Sequence, residues 1–202
     1  MKCWTLYLVL PGRFGPLISG LLTLITLTAL QFLLLGEIFW ISAGVFFAVT
    51  LSYLPAVYAY ILGITRNAVL ELRPNLQVTD EDIADITRRM QHPGVKFQIG
   101  WLVSGITLAL LHIKLMGFIP INADGELDFS GNLVKVTIAG TLLTWCMMTT
   151  VISSLIQNGY LIDDLTNHFK QIDIFRKQPW QPLARVAIAS SLALIGSNAI
   201  FP

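Results

Sequence analysis

Five long apolar stretches with almost no charge constrain this 202-residue chain more than any other feature. They run over 17–34, 39–62, 97–118, 133–157 and 183–201. A membrane-crossing helix needs about 20 apolar residues. Lipid offers no partners to backbone N–H and C=O groups, so each crossing must be helical. The expected fold is an all-α polytopic membrane helix bundle, with five transmembrane helices in a single membrane domain over 1–202. Only Leu35, Gly36, Glu37 and Ile38 separate the first two spans. That connection has to be a tight hairpin, with Gly36 permitting the turn and Glu37 held among the headgroups.

The positive charges orient the bundle. With the N-terminus in the cytoplasm, eleven of the thirteen Lys and Arg residues fall inside. Lys2 and Arg13 precede span one. Arg66, Arg73, Arg88, Arg89 and Lys96 follow span two, and Lys170, Arg176, Lys177 and Arg185 follow span four. Lys114 and Lys135 alone fall outside. The positive-inside rule then places the N-terminus in the cytoplasm and the C-terminus outside. Trp4, Trp40, Trp101 and Trp180 fall near expected span ends, where an indole prefers to sit, while Trp145 lies in mid-span.

Composition excludes several classes. Hydrophobic residues make up 54% of the chain and charged residues 12%, with a mean hydropathy of +0.68. A soluble domain carries about 25% charged residues. No basic–aromatic cluster resembles a nucleic-acid surface, so no nucleic-acid partner is expected. Cys3 and Cys146 occupy unlike settings and predict neither a disulfide nor a metal site. The apolar run after Arg13 is too long for a cleavable signal peptide and reads as a signal anchor.

The cytoplasmic connections, 63–96 and 158–182, carry helical patterns. Thr79 and Asp82 form a short-acid capping box, and Ile83, Ile86 and Met90 line one face of the helix that follows, which ends near His92, Pro93 and Gly94. Leu161, Leu165, Phe169, Ile172 and Phe175 recur at helical spacing, as in a short amphipathic helix lying on the inner membrane surface. The outer connection alternates about Asp124 and Gly125, which predicts a small extracytoplasmic β-hairpin. Two hairpins, each followed by a cytoplasmic helix, suggest an architectural repeat. Span five would open a third unit, so a truncation after Pro202 is expected.

Candidate sites are few. Asp164 and His168 are four residues apart and share a helix face, where they could hold a divalent metal. A catalytic zinc site wants three protein ligands, and the ordinary reading is a surface pair. Asn122, Asp124, Glu126 and Asp128 fail the calcium-loop test, because Leu127 and Leu133 stand where Gly and Glu are required. His112 and Lys114 are near enough to the interface to snorkel, as is Arg185. Ser19, Thr23 and Thr26 in span one, and Gly140, Thr144, Ser153 and Ser154 in span four, have the small polar character of helix-packing faces. They could pack against each other or against a partner. Leu165, Phe169 and Ile172 complete the expected contact faces. Pro55 is a candidate hinge, or a static kink, in span two. G-x-S-x-G, H-E-x-x-H and phosphate-loop signatures are all missing. Ser104 and Gly105 lack the context of an intramembrane protease, because Leu102 stands where a Gly is wanted.

These observations predict a non-enzymatic integral membrane accessory, anchoring or signalling module. Its expected partners are the lipid bilayer and another membrane protein or a second copy of itself, and no cofactor is expected. A transporter or channel subunit is the alternative, with Pro55, Gln31 and His112 as its support. A lipid-modifying enzyme built on Asp163, Asp164 and His168 is a weaker one. The charge bias and the lack of any N-x-[ST] sequon suggest a bacterial inner membrane.

Overall fold

The computed structural model describes residues 2–36, 44–119, 127–168 and 180–200. Among these residues the regular structure is helical, without a strand. The six α-helices are α1 (Gly15–Leu35), α2 (Gly44–Leu72), α3 (Asp80–Gln91), α4 (Val95–Met116), α5 (Asn132–Thr166) and α6 (Gln181–Ile200). Helices α1, α2, α4 and α5 are long and apolar enough to cross a membrane. The turn around Glu37 and the predicted hairpin about Asp124 and Gly125 lie outside the described residues, as do Phe169 and Ile172.

Helix α2 is the centre of the bundle. Its apolar window is 56% buried, against 11% in α1 and 17% near α4. It packs on α1, α5 and α6, whereas α4 leans on α5. Helices α2 and α5 run in the same direction. Gly140 faces the Phe47 ring near one end, and the Gln77 amide donates to the His168 carbonyl at 2.8 Å beyond the other. Helix α6 returns along α2, with the Tyr53 hydroxyl donating to the Ala193 carbonyl at 2.8 Å.

Small residues set these distances, as expected where backbones approach in lipid. A Cβ on Gly20 would meet the Ala56 Cβ at 3.2 Å, so α1 rides close on α2. A Cβ on Gly105 would lie 2.7 Å from the Cys146 Cα, which makes Gly105 the crossing point of α4 and α5. Beside it the Thr149 hydroxyl donates across the interface to the Trp101 carbonyl at 3.0 Å.

Two helices run past the ends expected for their spans. Helix α2 continues beyond residue 62 to Leu72, because Ala68, Val69 and Leu72 extend its buried face. A 3-10 turn over Arg73–Asn75, containing Pro74, ends it. Helix α5 passes Gln157 without a break and reaches Thr166. Leu161 and Leu165 therefore belong to the long helix itself, not to a separate helix on the membrane surface. Pro55 sits buried within α2, where it cannot donate a backbone bond to the Leu51 carbonyl.

Candidate functional site at the basic end

One end of the bundle gathers the starts of α1, α4 and α6 and the ends of α2 and α5. Lys2, Arg13, Arg66, Arg73, Arg88, Arg89, Lys96 and Arg185 all lie there, so we call it the basic end. Asn132 marks the opposite end, where its side-chain amide donates to the Leu34 carbonyl at 3.3 Å.

The basic end is closed by two elements. The first is the N-terminal segment, which folds as a 3-10 turn over Trp4–Leu8. It is no loose tail. Cys3 and Thr5 are fully buried, and Leu6 joins a core cluster with Tyr58, Leu62, Val69, Ile83 and Met90. The Trp4 indole donates to the Thr150 hydroxyl of α5 at 3.1 Å. The Cys3 amide donates to the Gln91 carbonyl at 3.0 Å. In the sequence Trp4 stands near a span end, where an indole is at home in the headgroup region. Its partner Thr150 is 146 residues away and leaves no local signal.

The second element is α3. The Thr79 hydroxyl accepts from the Asp82 amide at 3.2 Å, and the Asp82 carboxylate accepts from the Thr79 amide at 3.0 Å. The expected capping box is thus present. Hydrogen bonds from the Thr79 side chain and backbone hold the Asp82 carboxyl below the usual carboxylate range. Ile83 and Met90 are buried in the bundle core, with Ile86 packed beside them. The apolar face of α3 is therefore filled within the chain. Asp85 pairs with Arg88 at 2.7 Å and Arg89 at 2.6 Å, and Arg73 pairs with Asp80.

Between α2 and α5 a polar seam runs through the core. Thr50, Tyr58 and Thr65 contribute from α2, and Thr141, Thr144, Thr150, Ser154 and Asn158 from α5. Thr65 and Thr150 return their protons to their own helices at 2.9 and 2.7 Å. The Thr50 and Thr144 hydroxyls and the Gln31 side-chain oxygen are buried without a hydrogen-bond partner. Each such group costs about 1–3 kcal/mol.

The other sequence candidates fall as follows. Ser19 is buried, accepts from the Leu10 amide at 2.7 Å and donates to the Gly15 carbonyl at 2.8 Å. Thr23 is half-buried, and Thr26 points away from the bundle. Gly140 and Thr144 face α2, and Leu165 is buried in the core cluster. His168 approaches Asp164 through that residue's backbone, with Nδ1 3.0 Å from the carbonyl oxygen. A carbonyl only accepts, so Nδ1 carries the proton and closes the last turn of α5. Among the described residues no group of three or more His, Cys, Asp or Glu side chains is placed to hold a metal ion. The His112 ring lies against Trp145 and Phe118, at 5.9 and 5.5 Å between centroids. Cys3 and Cys146 are both free thiols.

No family model matches this chain, and neither a curated protein nor a solved structure is significantly similar to it. Its class therefore rests on its own physical features. Among the described residues it is helical, and four of its helices are long and apolar enough to cross a bilayer, as in an integral membrane protein.

Proposed function

We propose that this chain is a non-enzymatic accessory or anchoring module of a bacterial inner membrane. In this reading α6 is a fifth span, the basic end faces the cytoplasm, and a partner membrane protein docks on the outward face of α4. The observation that carries the docking is the character of that face. Gly100, Ser104 and Thr107 are exposed at i, i+4 and i+7, on a helix at the edge of the bundle. A Cβ on Gly100 would meet nothing within 4 Å. Small residues at this spacing let a second helix approach closely in lipid. Ser19, Gly140 and Thr144 are buried within the chain, whereas Thr26 is exposed. Replacing Gly100 and Ser104 together by Leu is expected to abolish co-purification of the partner from native membranes while the unfolding midpoint stays unchanged. Undiminished co-purification counts against the proposal, as does wild-type protein that brings no partner.

The polar seam favours a second reading, transport along α2 and α5. Thr144→Val separates the two. In a transporter it lowers flux into proteoliposomes. In a static core it leaves stability equal or higher by up to about 1 kcal/mol, because it removes an unsatisfied hydroxyl.

A further inference from the structure

We propose that the groove between the N-terminal segment and α2 binds the phosphate group of an anionic phospholipid. The groove encloses about 360 Å³ at the basic end. Lys2 and Arg66 border it, with Asn67 and Gln91 beside them and Gly63 along its side.

Charge is the first argument. The ion pairs among the described residues join Arg73 to Asp80, Arg88 and Arg89 to Asp85, and Arg185 to Glu71. Lys2 and Arg66 belong to none of these, and no carboxylate lines the groove. Two unanswered cations in one concavity attract an anion. Arg and Lys are the side chains that hold phosphate, Arg through a planar fork and Lys as a point charge. Lys2 also lies over the Tyr7 ring, at 5.7 Å, a contact that leaves its charge in place.

A contrast within the molecule supports the choice. A second groove, of about 290 Å³, flanks the other side of α2. It contains Arg185, but Glu71 lines the same groove and already pairs with that guanidinium. Asn67 borders both grooves, but one holds two cations and no carboxylate and the other a single cation beside a carboxylate.

The apolar wall distinguishes lipid from free phosphate. Leu6, Leu10, Ala59 and Leu62 line the groove beside the cations. An inorganic ion has no use for that wall, whereas the glycerol and upper acyl carbons of a phospholipid would cover it. Basic pockets between spans at a membrane rim hold anionic headgroups in this way. A Cβ on Gly63 would meet nothing within 4 Å, so the space beside the helix is open.

The test is native mass spectrometry of the purified full chain, offered phosphatidylglycerol, phosphatidylcholine or inorganic phosphate in separate arms. Wild type is expected to retain phosphatidylglycerol about tenfold or more over phosphatidylcholine, given the attraction of each added cation near an anionic headgroup. The double variant Lys2→Gln, Arg66→Gln should lose that preference. Gly63→Phe keeps both charges, fills the open space and should lose it as well. Arg88→Gln, altering a cation paired on α3, should retain it. Equal retention of the two lipids overturns the proposal. So does full competition by millimolar inorganic phosphate, or unchanged preference in the double variant. Circular dichroism of each variant confirms that the helices persist, and the exposed Arg66 position carries the test if Gly63→Phe does not fold.

Discussion

Single residues decide how closely these helices pack. Gly105 is the sharpest case, because an added methyl group would press on the Cys146 backbone and the Thr149 hydroxyl, both at 2.7 Å. Backbone cannot move aside cheaply, so Gly105→Ala should destabilise the protein by about 1–3 kcal/mol. Thr149→Val should cost only about 0.6 kcal/mol, the typical strength of one interhelical bond in a membrane. Its hydroxyl is shared with the Trp145 carbonyl at 2.8 Å, which already limits its hold on α4. Unfolding both variants in mixed micelles checks the order, and a larger loss from Thr149→Val would contradict the geometry. Asp82 makes a second residue-scale case, with a pH dependence. Its folded pKa is depressed by Thr79, so its contribution is present above the ordinary Asp value near 3.9 and fades as pH falls through the folded value. Protection of the Thr79 amide, measured against its intrinsic exchange rate at each pH, should therefore fall at the acid end. Asp82→Asn should show low protection throughout and lose that acid dependence. Both residues of this box were legible in the sequence, because a cap is local. Gly105 drew notice only as part of a failed protease motif, since its true neighbour, Cys146, is far along the chain.

Among the elements, the N-terminal segment and α3 depart most from what their sequences suggest. In the sequence the first is a tail ahead of span one and the second a helix in a cytoplasmic connection. In the fold they meet through the bond from Cys3 to Gln91 and seal the basic end together. Ile83 and Met90 were recognisable as one apolar face from their period, but the period cannot say whether lipid, a partner or the chain itself covers that face. The chain does. One consequence concerns thiol chemistry. Cys3 is fully buried, so N-ethylmaleimide should label it slowly in the folded protein. Trp4→Ala removes the indole held by Thr150 and should speed that labelling at least about tenfold by loosening the segment locally. Rapid labelling of wild-type Cys3 would show that the segment does not stay docked.

The whole molecule is arranged around two helices that run in parallel. Because α2 and α5 follow the same direction, their hairpin partners α1 and α4 lie on separate flanks, and α6 takes another side of α2. This arrangement leaves α4 at the edge and gathers most of the described basic residues at one end, with Lys114 and Lys135 at the other. Topology can be checked on a background without native cysteines. Ser130→Cys should react with an impermeant maleimide in intact cells, and Glu81→Cys only after permeabilisation. The reverse pattern would invert the proposed orientation.

The sequence by itself determined that the chain is helical and apolar enough for a membrane, and which residues gather with like charge. Those properties are local sums over about 20 residues, and the bilayer's thickness and lack of hydrogen-bond partners translate them directly into helices. It also determined the cap of α3. Tertiary structure alone decided which faces meet. In lipid every face of a span can be apolar, so hydrophobic period does not separate a helix contact from a lipid contact. Only packing turned Gly140 toward Phe47, left Gly100 and Ser104 open, and set Lys2 beside Arg66, residues 64 positions apart that share one groove.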